Sequence, residues 1–285
     1  MKFILLLSMV SIAMSVSAQK EYKLAKSSGR LNLNIAGAIV EGYAGNEIIF
    51  SAPQSENEVV DERAKGLRAI NGSGFTDNTG LGIDVTVKGD DINVNAVSKD
   101  TKAVMTIKIP QNIKVSFTNT SNIYQSEIIL KNMKNEIGVS TSFNKIKLEN
   151  NTGPMSIKTL YGSVDAAFSG DIKGPVSIVS VYGYVDVSVP STTKANVELS
   201  TSYGKLYAAD GLKISLEKNN NEKAEPGVTE LSNSNTSNND NSITTITINN
   251  NASGHNSEII KGKINGGGAD LILKSNYKNV YLREK

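Results

Sequence analysis

Apolar and polar residues alternate along most of the chain, and one short form of that alternation is written five times. The copies are "TSFNKIKLEN" from Thr141, "TLYGSVDAAF" from Thr159, "SVYGYVDVSV" from Ser180, "TSYGKLYAAD" from Thr201 and "SNYKNVYLRE" from Ser275. Their aromatics are Phe143, Tyr161, Tyr182, Tyr203 and Tyr277, and the first four are 18, 21 and 21 residues apart. Two positions before each aromatic stands a hydroxyl: Thr141, Thr159, Ser180, Thr201 or Ser275. Two before that is an aliphatic (Val139, Ile157, Ile178, Leu199, Leu273), and two earlier another (Ile137, Met155, Val176, Val197, Leu271). Period two marks a strand with one buried face, so all four columns, the aromatic included, are expected to point inward.

After the aromatic the parity shifts. Val164 and Ala166, Val185 and Val187, Leu206 and Ala208, and Val280 and Leu282 lie three and five residues past their tyrosines, not two and four. Gly162, Gly183 and Gly204 stand at the shift, with Asn144 and Lys278 in the other copies. This predicts a corner at which the chain takes positive φ. A corner between two short strands, recurring at about 20 residues, predicts the fold class: all-β, a parallel β-solenoid of roughly 20-residue rungs, with a less regular N-terminal cap region. Circuits stacked about 4.8 Å apart would lay ring on ring and bond hydroxyl to hydroxyl. The competing architecture, a sandwich of antiparallel hairpins, needs two-residue turn signals that the repeat does not carry.

The remaining segments are placed around this repeat. Residues 1–18, with Lys2, the apolar run "FILLLSMVSIAM" and the small residues of "SVSA", read as a signal peptide cleaved between Ala18 and Gln19. Residues 19–104 alternate less regularly and are expected to form an N-terminal β region or cap, followed by the rungs at 105–216. Residues 217–257 are a polar, low-complexity excursion containing "NNNEKAEPGVTELSNSNTSNNDNS", too poor in apolar residues to offset ordering entropy. Residues 258–285 are expected to supply the final rungs and a C-terminal cap, with Tyr277 in a terminal position.

The opening "RLNLNIAGAIVEGYAGNEIIF", the element "IKIPQNIKV", the YG-containing rungs and the ending "KINGGGADLILKSNYKNVYLRE" resemble a family of exported bacterial proteins. Its members are adhesin-like or domains of unknown function, common in bacteroidete envelopes. The resemblance covers most of residues 22–285 and implies a β-solenoid; it supplies no catalytic residues.

Composition narrows the chemistry. The formal charge is +2, which gives no reason to expect nucleic acid. Zero Cys removes disulfides, thiol nucleophiles, zinc–thiolate sites and a lipidated N-terminal Cys. The single His255 sits in a polar stretch, and "NGGGAD" lacks the Lys of a phosphate loop and reads as a tight turn. The best polar constellation is Asp165 and Asp186, at the same outward position of adjacent rungs, with Lys147 one rung earlier and Tyr207 one rung later. Two such carboxylates suit a bridging cation or the acid–base pair of a lyase or glycosidase. The plainer reading, and the one favoured, is a solvated face with Lys147 offsetting part of their repulsion.

The expectation is therefore a non-catalytic, adhesin-like protein of the envelope or surface, exported to periplasm, cell surface or medium. It carries no catalytic, cofactor-binding or metal residues and no transmembrane span in the mature chain. Its partner is an unknown protein or glycan at the cell envelope. The alternative is a carbohydrate-active β-helix enzyme using Asp165 and Asp186.

Overall fold

The computed structural model describes residues 19–53, 62–97, 104–216 and 257–285. The segment expected to be a signal peptide, most of the 217–257 excursion and His255 lie outside the described residues. The N-terminal strands are β1 (Gln19–Leu24), β2 (Ser28–Asn34), β3 (Ala38–Tyr43), β4 (Ile48–Pro53), β5 (Ile83–Lys88), β6 (Asp91–Ala96) and β7 (Met105–Pro110). Then come β8 (Asn112–Asn119), β9 (Ile128–Lys131), β10 (Ile137–Thr141), β11 (Ile146–Glu149), β12 (Met155–Thr159), β13 (Val164–Ala167), β14 (Val176–Ser180) and β15 (Val185–Val189). The chain continues through β16 (Ala195–Thr201), β17 (Leu206–Ala208), β18 (Ser215–Leu216), β19 (Glu258–Ile264), β20 (Ala269–Ser275) and β21 (Val280–Glu284).

These strands form two large, mostly parallel sheets. One has 10 strands in the order β1-β4-β7-β3-β9-β11-β13-β15-β21-β17, the other 11 in the order β18-β19-β16-β20-β14-β12-β10-β8-β2-β6-β5. From β8 to β17 consecutive strands alternate between the sheets, so each short corner carries the chain from one to the other. The aliphatic columns of the sequence are the register of the strands. Ile137, Met155, Val176, Leu271 and Val197 are neighbours in one sheet. Ile146, Val164, Val185, Val280 and Leu206 are neighbours in the other. The inward side chains of both sheets join one core, in which Ile157, Ile178, Val185, Val187, Leu271 and Leu273 are fully buried. At about 0.8 kcal/mol per buried CH₂, such columns dominate the stabilisation.

The order of stacking departs from the order of the sequence at both ends. β20 lies between β14 and β16, and β21 between β15 and β17. Residues 269–284 are thus an internal layer, not the closing cap expected for them. The chain runs straight from β15 to β16 yet leaves a gap one strand wide, which its own C-terminus fills. The same happens at the other end, where β2 lies between β6 and β8, and β3 between β7 and β9. "NGGGAD" is indeed a tight turn, with positive φ at Asn265, Gly266 and Gly267. It passes around the entry to β16, so that β19 and β20 flank that strand on its two sides. Asn265 Nδ2 donates to the carbonyls of Ser191 and Thr193, both at 2.8 Å, and a Cβ on Gly268 would stand 2.3 Å from the Lys194 carbonyl. The glycines serve this close passage.

Candidate functional site

Four of the five corners are built by their hydroxyl, whereas Thr141 Oγ1 in the Phe143 corner is buried without a hydrogen-bond partner. Ser180 Oγ accepts the N–H of Gly183 at 2.9 Å and donates to the carbonyl of Gly162, one layer away, at 2.7 Å. Ser275 does the same with Lys278 N (3.0 Å) and Gly183 O (2.8 Å), and Thr201 with Gly204 N (3.0 Å) and Lys278 O (3.1 Å). At these four corners the hydroxyl expected to bond to its neighbour in the column bonds instead to backbone, because the turning peptide leaves an N–H and a carbonyl that the strands cannot pair. The glycines are also explained differently from the sequence reading. Gly162, Gly183 and Gly204 do not have positive φ. A Cβ there would stand 1.8 Å from Asn144 O, 2.0 Å from Gly162 O and 2.1 Å from Lys278 O respectively, so close approach of adjacent corners demands the missing side chain.

This corner turns the aromatic out. Tyr203, Tyr161, Tyr277 and Tyr182 are 55%, 49%, 44% and 40% exposed, against the inward placement expected from parity. Parity holds only while the chain is a strand, and the strand ends at the hydroxyl. The rings form one stack in the order Phe143, Tyr161, Tyr182, Tyr277, Tyr203, with centroid spacings of 4.7, 4.9, 4.6 and 4.9 Å and planes within 13° of parallel. Tyr277 therefore has a ring on each side, because its layer is inserted. Neighbouring rings cover each other's faces, so the edge presents ring rims and phenol hydroxyls to solvent. The phenol of Tyr277 beside Tyr182 and partial desolvation push the Tyr182 ionisation above its ordinary value. A second, shorter stack, Tyr207 on Tyr281 at 5.2 Å, lies on the outer face of the 10-stranded sheet.

Asp165 and Asp186 do stand opposite each other on β13 and β15. Each, however, has its own cation. Lys145 Nζ lies 3.2 Å from Asp165, and the Tyr184 hydroxyl donates to the same carboxylate at 3.3 Å. Arg283 holds Asp186 with two bonds of 2.7 and 2.9 Å and also lies over the Tyr281 ring. The bond to Asp165 holds the Lys145 pKa above its ordinary value. Lys147, the expected counter-charge, pairs with Glu149 at 2.7 Å, since both project from one face of β11. Tyr281, not Tyr207, is the next residue in the Asp186 column, again because the last layer is inserted. Among the described residues no group of three or more His, Asp or Glu could hold a metal ion.

Sequence reasoning missed Asn144, which it took as a glycine substitute. This residue is buried, and its Nδ2 donates to the carbonyls of Ala36 (2.6 Å) and Ser126 (2.7 Å) while its Oδ1 accepts from Asn119 (3.0 Å). It ends the tyrosine corners and ties them to the N-terminal layers. An amide side chain where three of the other copies carry Gly was the available signal.

No protein-family model matches the chain, and no curated protein matches it. Among solved structures it is similar to one described as that of a "putative cell adhesion protein" from Clostridium sporogenes, at 12% identity, a TM-score of 0.41, and coverage of 94% of this chain and 100% of that one. A likeness of that size carries no argument. No helix among the described residues is long and apolar enough to cross a membrane.

Proposed function

We propose that the protein is a non-catalytic, exported, adhesin-like β-solenoid of the bacterial envelope, and that its aromatic edge binds a protein or glycan partner there. The alternation of strands between two parallel sheets supports the solenoid. The observation that carries the binding role is the exposed stack of Tyr161, Tyr182, Tyr277 and Tyr203. Aromatic rims with hydroxyls at one fixed spacing form a stiff surface that loses little side-chain entropy on contact. Tyrosines kept for stability alone would gain more from burial. The two carboxylates are engaged with Lys145 and Arg283, and this favours binding over acid–base chemistry at Asp165 and Asp186.

The test uses beads coated with the mature chain and intact cells of the host. The triple variant Tyr161→Ser, Tyr182→Ser, Tyr277→Ser should lose bead attachment while keeping a cooperative melt. Attachment equal to that of the unaltered chain would overturn the role of the edge. Cleavage of a polysaccharide panel, abolished by Asp186→Ala, would establish the enzymatic alternative.

A further inference from the structure

The outer face of the 11-stranded sheet carries a second built surface, at its N-terminal end. Ser116, Asn32, Asn93 and Thr86 lie opposite one another across β8, β2, β6 and β5. Asn34 and Asn95 repeat the pairing two residues along. The side chains bond laterally, Asn32 Nδ2 to Asn93 Oδ1 at 3.0 Å and Asn34 Nδ2 to Asn95 Oδ1 at 3.3 Å. Each amide keeps donor and acceptor capacity beyond the bond it makes. Phe75, from the loop before β5, closes one wall, making a groove of about 390 Å³. Of its lining side chains only Lys88 is charged, and none is a carboxylate.

The loop that carries Phe75 is held in place by its own polar side chains. Asn71 Oδ1 accepts the N–H groups of Ser73 (2.9 Å) and Phe75 (3.0 Å), while its Nδ2 donates to the carbonyl of Ala96 at 2.8 Å. Asn78 bonds both the N–H and the carbonyl of Val85. Asp77 accepts N–H groups from Thr79, Gly80 and Gly82 at 2.8–3.0 Å. Burial opposes the Asp77 charge, yet these donors outweigh it and hold its pKa below the ordinary carboxylate value. The aromatic wall is thus set before any ligand arrives, which lowers the ordering cost of binding.

We infer that this groove is a binding site for a neutral oligosaccharide, separate from the tyrosine edge. Sugar hydroxyls donate and accept at once, as the floor of amides and hydroxyls does, and the C–H face of a sugar ring fits against Phe75. A polyanion would call for more cations than Lys88, and a cation for carboxylates. An extended peptide would seek open backbone groups, whereas the groove is floored by side chains on strands already paired on both sides, and at the edge strand β5 Asn78 and Thr79 already bond the outer groups of Val85 and Ile83.

The experiment is calorimetric titration of the mature full-length chain with maltohexaose, cellohexaose, xylohexaose and mannohexaose, and with a uronate oligosaccharide of similar length. At least one neutral ligand should bind saturably and be weakened at least ~tenfold, or about 1.4 kcal/mol, by Phe75→Ala and by Thr86→Arg. Thr86 is exposed, so the second variant obstructs the groove without touching the core. Tyr182→Ser should leave this binding unchanged, which separates it from attachment through the aromatic edge. Absence of binding by every neutral ligand, indifference to both groove variants, or tighter binding of the uronate ligand would each overturn the inference.

Discussion

At the scale of single residues, the corner is decided by what lies one layer away. Gly183 faces the carbonyl oxygen and carbon of Gly162, which a Cβ would approach to 2.0 and 2.5 Å. Both are backbone atoms and cannot swing aside. Gly183→Ala should cost about 2 kcal/mol or more, read as a lowered denaturant midpoint at unchanged slope. Gly170→Ala, with open space around its Cβ position, should be nearly silent. The tyrosines follow from their neighbours. Tyr182 and Tyr277 each touch two rings and are partly exposed, so truncation of either to Ala should cost about 1–2 kcal/mol, less than for a fully buried ring. Tyr203, 55% exposed against 44% for Tyr277 and 40% for Tyr182, should cost less in the same denaturant melts. A Tyr277 variant milder than the Tyr203 variant would contradict this order of burial.

At the scale of elements, the stack behaves as a unit because its rings are neighbours. The ionisation of Tyr182 is raised above 10.0, first by the adjacent Tyr277 phenol. A raised folded-state pKa means that the neutral ring is favoured by folding. That contribution is fully present below the unfolded value and is lost as pH rises through the folded one. Melts taken from about pH 9 to about pH 12 should therefore show an alkaline loss of stability, and Tyr182→Phe should flatten it. The excursion belongs to this scale too. Leu216 on β18 lies opposite Gly262 on β19 in an antiparallel pair, so the strands that bracket the segment are already neighbours. Replacing Asn219–Ser242 by a short Gly/Ser linker should leave the melting temperature within a few degrees, since shortening a loop by half changes closure entropy by only about 0.6 kcal/mol. Collapse of the fold on that replacement would show that the segment is structural.

At the scale of the molecule, two pairs of strands, β2 with β3 and β20 with β21, are lodged one layer inside the stack. β20 and β21 supply the parallel neighbours of β16 and β17, which are not paired with β14 and β15. An end layer held in this way cannot leave before the inserted one loosens. A chain ending at Ile264 should lose amide protection over residues 195–208 in hydrogen-exchange mass spectrometry, while β8–β13 keep theirs. Protection unchanged at 195–208 would mean that β16 docks directly onto β14 and needs no insertion.

The strands and their register were legible in the sequence because they rest on local facts. A period of two between polar and apolar residues, returning every 18–21 positions, aligns Val139 with Ile157 and Ile178 in the fold as it does on the page. The site was legible only as a set of residues. The tyrosine column and the paired N-x-N of "LNLNI" and "INVNA" are visible in one dimension, but not which way they face or what overhangs them. Strand parity cannot be carried through a corner, so the outward turn of Tyr161, Tyr182 and Tyr277 had to come from the tertiary structure. The stacking order had to come from there as well. Columns of Val, Ile and Leu are nearly equivalent partners, so the layer from Ala269 to Glu284 fits the sheets at more than one level. Position along the chain does not choose between them. The choice is made by the turn at Asn265–Gly268, which grips the entry to β16 and carries the last strands to its inner side.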